Sequence, residues 1–174
     1  MNIRLATETD VDEIARIHVA AWRCAYAKIV PQHYLANLSV EESARRWRGL
    51  LADSNRRTAV VESEAHCLIG WASYGKSREA LDYAVGELYA IYVGHEHWGT
   101  AVGRNLLQHV IDGLSQLQLT GMTLWVLERN RRARRFYEKA GFQANGATKT
   151  VSIGGRELTE MRYSRSLCDR RGMT

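Results

Sequence analysis

The stretch from Glu87 to Arg104, ELYAIYVGHEHWGTAVGR, decides the fold. Its first part belongs to an apolar run over Val85–Val93 that reads as a buried strand. A short polar loop follows, with Gly99, Ala101 and Gly103 as small residues at the mouth of a helix. That helix spans about 101–119 and carries Leu106, Leu107, Val110, Ile111, Leu114 and Leu117 along one stripe. The N–H groups that open a helix have no acceptor within it, so this loop suits an anion such as a pyrophosphate. An ordinary strand-to-helix turn is the alternative. Gly121 then starts a strand through Met122, Leu124 and Val126, which makes the unit a parallel β-α-β crossover.

On the N-terminal side, Ile3–Ala6 is expected as a strand. Thr7 with Asp10 forms a capping box that opens a helix to about Ala27, with Val11, Ile14, Ile17, His18, Ala21 and Cys24 at helical spacing. Pro31 suits the first turn of a second short helix. Ser39 with Glu42 opens a third, through Trp47, Leu50 and Leu51. Thr58–Ser63 and Cys67–Tyr74 read as a hairpin, and residues 75–82 as a polar loop. On the C-terminal side, Asn130 begins a helix that stops at Ala140-Gly141, where glycine fits the cap. Phe142–Val151 and Arg156–Tyr163 form a last hairpin around Gly154-Gly155. The order β-α-α-α-β-β-β-α-β-α-β-β predicts an α/β fold on a mixed sheet. One domain is expected over residues 1–165, with a mobile tail over 166–174.

The 174 residues, 45% hydrophobic and 25% charged, fit a globular domain with its own core. No apolar run approaches the ~20 residues of a membrane span, and the first residues lack the apolar stretch of a signal peptide. Cys24, Cys67 and Cys168 are odd in number and far apart, and read as reduced thiols of a cytoplasmic protein. The net charge of +5 suits a polyanionic small molecule and is compatible with RNA. Arg129, Arg131, Arg132, Arg134 and Arg135 form a cluster that is either a solvated helix face or a phosphate site. His95 and His97 lack a third ligand at metal spacing, so no metal is expected.

With these elements in place, the chain resembles the GNAT superfamily of N-acetyltransferases along nearly its whole length. The likeness is sharpest in the central β-α unit and in Asn130, Ala133, Phe136, Tyr137, Gly141 and Phe142, which match Asn-x-x-Ala-x-x-Phe-Tyr-x-x-x-Gly-Phe. The resemblance implies a GNAT-type fold whose two central parallel strands splay apart around acetyl-CoA. By resemblance, the backbone of Ile91, Tyr92 and Val93 pairs with the pantetheine arm. Gly99, Thr100, Ala101, Val102, Gly103 and Arg104 wrap the pyrophosphate, and Asn130 and Phe136 lie along the cofactor. The family loop is Gln or Arg, two residues, Gly, one residue, then Gly or Ala. Here Trp98 and Ala101 take the first two of those places and Gly103 the third. A methyl at Ala101 crowds a phosphate unless the backbone there is helical.

The family commonly aims the tyrosine at the Tyr137 position toward the CoA sulfur, where it protonates the departing thiolate. Spacing alone favours a core residue. An alkylamine acceptor is mostly protonated at neutral pH, so a base or a water chain is needed. Glu87 matches a carboxylate that many members use in this role; an ion-paired strand glutamate is the plain alternative. Glu128 ranks behind it. Relatives that acetylate ribosomal-protein N-termini carry a glutamate five residues before the asparagine, where this chain has Trp125. Trp22, Tyr26 and Tyr34 lie in the helices that form part of the acceptor pocket in the family, and Glu79 and Asp82 are acidic positions in the loop before the central strand.

The expected function is transfer of an acetyl group from acetyl-CoA to a primary amine by direct attack. No cysteine at the splay point supports a covalent intermediate. The partners are acetyl-CoA and an amine acceptor, with no membrane and with nucleic acid disfavoured; a homodimer stays open. The alternatives are a noncatalytic acyl-CoA sensor and an acetyltransferase acting on aminoacyl-tRNA.

Overall fold

The computed structural model describes residues 1–79 and 84–167. Thr7 N–H donates to the Asp10 carboxylate (2.7 Å), which Arg4 of strand β1 (Asn2–Leu5) also grips through both Nη atoms. This closes a 3₁₀ turn over Glu8–Asp10 before helix α1 (Val11–Ala25). Helix α2 (Gln32–Ala36) starts after Pro31, and Ser39 Oγ caps α3 (Val40–Leu51) by accepting from Glu42 N–H. Strands β2 (Arg56–Glu62), β3 (Leu68–Lys76) and β4 (Val85–Val93) follow. Then come α4 (Val102–Gln116), β5 (Gly121–Leu127), α5 (Arg131–Lys139), β6 (Gln143–Ile153) and β7 (Arg156–Ser166). β7 thus runs past the expected end at Tyr163. Its last residues and Leu167, which packs on the core, occupy the start of the expected tail. Residues 168–174, with Cys168, lie outside the described residues, as does Asp82.

The seven strands form one sheet in the order β1-β2-β3-β4-β5-β7-β6. β4 and β5 pair in parallel and every other neighbouring pair is antiparallel, so the sheet is mixed. Alternating residues of β2, β3 and β4 feed two cores. Ala59, Val61, Ala72, Ile91 and Val93 face α4, whereas Val60, Trp71, Ala90 and Tyr92 face α1 and α3. A third cluster, Ile29, Val30, Leu35, Leu127 and Leu158, gathers α2 beneath the β6–β7 hairpin.

Both site-forming helices end in the same way. After α5, Gly141 takes φ +84°, which suits a residue without Cβ. Phe142 N–H then donates to Tyr137 O (3.0 Å) and Gly141 N–H to Glu138 O (3.0 Å), returning Phe142 to the core. After α4 the equivalent left-handed residue is Gln118, and Leu119 N–H reaches Leu114 O (3.3 Å). This stop corrects one expectation. Leu117 caps the helix and is 40% exposed, and Leu119 takes the buried place instead.

Candidate active site

The parallel pairing of β4 and β5 covers four positions, from Val85 opposite Gly121 to Leu88 opposite Leu124. Both strands continue without pairing to each other, β4 to Val93 and β5 to Leu127. The cause of the divergence lies on the other side of β4. Its register with β3 shifts between Ser73 and Tyr74, which leaves Tyr89 as an extra residue immediately after Leu88. Such a bulge increases local twist and bends its strand. A cleft of about 1590 Å³ opens at this point. It is lined by Ile91, Tyr92 and Val93 of β4, Trp125–Leu127 of β5, the loop before α4, the first residues of α5, Trp22 of α1 and Tyr26 at its cap.

The loop is anchored at Trp98. Its indole Nε1 donates to Val93 O (2.9 Å), and the Arg132 guanidinium of α5 lies over its ring, 3.5 Å from the centroid. Trp98 therefore ties the end of β4 to the loop and holds a cation from the opposite helix. Gly99 has φ +79°, a left-handed value, whereas Ala101 is helical at φ −72°, ψ −12°. The alanine methyl therefore carries no backbone strain. Thr100 Oγ1 donates to His97 O (2.6 Å) and accepts from Val102 N–H (3.4 Å). By helix geometry the N–H groups of Gly103 and Arg104 have no intrahelical acceptor. Gly99, Thr100, Ala101, Gly103 and Arg104 line the cleft; Val102 is buried beneath it. Arg104, Arg131, Arg132, Arg135 and Lys139 put cations on this end.

Asn130 lines the cleft and caps α5, its Oδ1 accepting from Ala133 N–H (3.1 Å). Phe136 packs against Gly103, its ring 3.5 Å from where a Cβ would stand, an ordinary contact distance. Tyr137 is 8% exposed and lines the same cleft. Burial pushes its hydroxyl well above the ordinary tyrosine range, so it stays protonated. Tyr92 and Tyr26 shift the same way for the same reason, and their hydroxyls stand 3.4 Å apart. Trp22 Nε1 is buried beside them with no hydrogen-bond acceptor. His18 lies against Trp22, Trp71 and Tyr92, and its Nδ1 is 3.1 Å from Ser43 Oγ. Burial, with the field of Arg46, lowers its pKa to about 4.

Glu87 is not brought to this group. Leu88 faces α4, so Glu87 points to the other face of the sheet, the one that carries Tyr92, but it lies before the splay, where β4 still pairs with β5 opposite Thr123. Its side chain is 3% exposed, and both carboxylate oxygens are held by Arg78, through the backbone N–H (3.0 Å) and the guanidinium. Glu87 is absent from the cleft lining. Both oxygens of Glu87 are thus occupied by one arginine, and the ion-paired reading describes its surroundings. Glu128 is exposed and lies outside the cleft. Glu79 is held by Arg162 and by Trp125 Nε1 (2.9 Å). His95 and His97 each stand near Glu96, and no cluster of three metal-ligating side chains occurs among the described residues.

Sequence reasoning missed Glu160. It lies on β7 opposite both Leu127 and Lys149, and it lines the cleft. Part of the signal was present: a two-residue turn at Gly154-Gly155 places Lys149 across from Glu160. That β7 lies beside β5 is a tertiary fact with no local signature.

A splayed strand pair with an unpaired β4 edge, an open helix start and a ring of cations fits a pantetheine arm and its phosphates. Known proteins share sequence and fold with this chain. YuaI of Bacillus subtilis, an uncharacterized N-acetyltransferase, is 34% identical over 130 residues, covering 75% of this chain and 73% of its own. The PaiA N-acetyltransferase of Thermoplasma acidophilum, solved in complex with coenzyme A, superposes with a TM-score of 0.76 at 17% identity, over 95% of this chain and 99% of that one. The yncA protein of Salmonella typhimurium, solved with acetyl-CoA, gives 0.71 at 21% identity, over 100% and 98%. Residues 12–142 match the family model described as Acetyltransferase (GNAT) family, and the chain belongs to that family.

Proposed function

We propose that this protein transfers an acetyl group from acetyl-CoA to a primary amine by direct attack. The observation that carries this reading is the single cleft shared by the unpaired end of β4, the α4 start and the Tyr137 side chain. In the proposed reaction, the free edge of Ile91–Val93 pairs with the pantetheine arm, as a sheet edge takes up an added strand. Gly99–Arg104 hold the pyrophosphate through first-turn N–H groups, with Arg132 on Trp98 facing them. Asn130 and Phe136 flank the arm. A strand N–H near Val93 stabilises the oxyanion that forms when the amine adds to the thioester carbonyl. The C–S bond then breaks, and Tyr137, protonated at working pH, gives its proton to the thiolate.

The test has two parts. Acetyl-CoA at 100 times its Kd adds about 2.7 kcal/mol to a protein that binds it only when folded, so thermal unfolding rises with ligand. CoA release is then followed with a panel of primary amines. No thermal shift at millimolar acetyl-CoA, together with no calorimetric heat, rejects the reading. Binding without release across the panel favours the noncatalytic sensor.

A further inference from the structure

With Glu87 and Glu79 engaged by arginines, the acceptor amine needs another carboxylate. Among the described residues that line the cleft, Glu160 is the sole one. The cations of α4 and α5 line the same cleft, and they suit phosphates. Glu160 belongs to the other end, on the face of the sheet shared by Trp125 and Leu127. Its side chain is 22% exposed, and its charge reaches Tyr26.

One contact indicates what this carboxylate recognises. The Lys149 ammonium lies 3.4 Å from Glu160 Oε2 and 4.1 Å from the centroid of the Trp125 ring. A primary alkylammonium is thus held between a carboxylate and an indole face, the chemistry of a cationic amine subsite. Lys149 itself is weakly retained. Its side chain is 42% exposed, its ion pair is long, and its strand is interrupted by a register shift between Ala144 and Thr148. The four-carbon arm can swing to solvent at little cost.

We propose that Glu160 is the carboxylate that receives the acceptor, that the acceptor is a monocationic primary amine with an apolar body, and that Lys149 holds its place until it arrives. This rests on the amine N-acetyltransfer reading and names its substrate class. One carboxylate lines the cleft and matches one ammonium; Glu79, the other acid at Trp125, is already held by Arg162. Trp22, Tyr26 and Ile153 supply the apolar wall. In the reaction, the ammonium gives one proton to Glu160 and the freed lone pair forms the C–N bond. The C–S bond breaks, the thiolate takes the Tyr137 proton, and the tyrosinate recovers one from the nitrogen of the adduct. Glu160 releases its proton to solvent, so the site returns to its starting state.

The experiment uses the full chain, with 2-phenylethylamine as the cationic probe and 2-phenylethanol as its neutral counterpart. Binding is read by tryptophan fluorescence, because Trp22 and Trp125 flank the site. Acetyl-CoA affinity reports that each variant is folded. Glu160→Gln should weaken the ammonium at least tenfold and leave 2-phenylethanol and acetyl-CoA unchanged. Lys149→Met should tighten the ammonium severalfold. With the amine as acceptor, Glu160→Gln should also flatten the acid limb of the kcat profile, an effect lost binding alone does not produce. No binding of the probe to the wild type, equal ammonium binding in Glu160→Gln, or weaker binding in Lys149→Met overturns the proposal. If the wild type acetylates amines while any of these holds, the Glu160 assignment alone fails. If the wild type does not bind acetyl-CoA, the N-acetyltransfer reading fails first.

Discussion

At the α4–α5 end of the cleft, Arg104, Arg131, Arg132, Arg135 and Lys139 join the start of α4 in the lining. At the α1–β7 end, Trp22, Tyr26 and Trp125 surround one carboxylate. On the proposed reading, the first end takes an anion of fixed shape through backbone N–H groups and guanidinium planes. The second takes a cation with an apolar body against ring faces. Tyr137 lies where the two meet, among groups that burial keeps neutral. The contrast suggests that cofactor affinity and acceptor choice are separable properties of this protein, and each substitution below tests that separation.

The largest effect is expected at the junction. Tyr137→Phe removes one hydroxyl and leaves the ring packed against Phe136 and Phe142. Turnover should fall by about 10²–10⁴-fold, with acetyl-CoA affinity nearly intact. Stopped-flow turnover alongside calorimetric titration checks both halves. Unchanged turnover, where chemistry limits the rate, would return Tyr137 to a packing role.

Glu87→Gln should act on the fold and not on the chemistry. The Arg78 guanidinium keeps a polar partner but loses the charge, at a cost of about 1–3 kcal/mol. Urea unfolding should show this, while the pH profile of kcat keeps its shape. A profile that changes as expected for Glu160→Gln would make Glu87 the base and erase the distinction between the two glutamates.

The two ends also differ in how far the sequence discloses them. The anion end is made of contiguous segments. Gly99–Arg104 is one loop and Asn130–Phe142 one helix with its stop signal, so spacing along the chain equals spacing in the fold. The whole element order was legible for the same reason, since each capping box and turn is local. The cation end draws Tyr26 from the cap of α1, Trp125 from β5, Lys149 from β6 and Glu160 from β7. These residues meet only through long-range strand pairing, and β7 enters the sheet between β5 and β6. Glu87 is half-legible for a related reason. Its position on β4 is readable, but its pairing with Arg78 depends on where the end of β3 delivers the arginine, nine residues earlier in the chain.

A smaller effect is expected beneath the cation end. His18 is held neutral, with its pKa near 4. In the unfolded chain it returns to about 6.5, so between those values unfolding takes up a proton. Stability is whole above pH 6.5, declines as pH drops and levels off near 4. The ring is partly exposed, so the loss should be about 2 kcal/mol or less. Chemical unfolding at pH 7.5 and 4.5 measures it, and His18→Gln should reduce the difference. An equal loss in both proteins would place the titrating group elsewhere.

The smallest effect is expected at Ala101, which tests how the anion end is held in shape. If the methyl crowds a phosphate, Ala101→Gly should tighten acetyl-CoA; if the residue supports the helix start, the added backbone freedom should weaken it. The backbone at Ala101 is already helical, and the loop is anchored next door by Trp98 on Val93 O and under Arg132. Neither arrangement depends on the side chain of residue 101. The change should therefore stay under about tenfold, or ~1.4 kcal/mol, with amine probe binding at the other end unaltered. Paired calorimetric titrations of acetyl-CoA and fluorescence titrations of the amine decide it. A larger loss of acetyl-CoA binding would mean that the loop depends on Ala101, and a matching loss of amine binding would mean that the two ends are coupled.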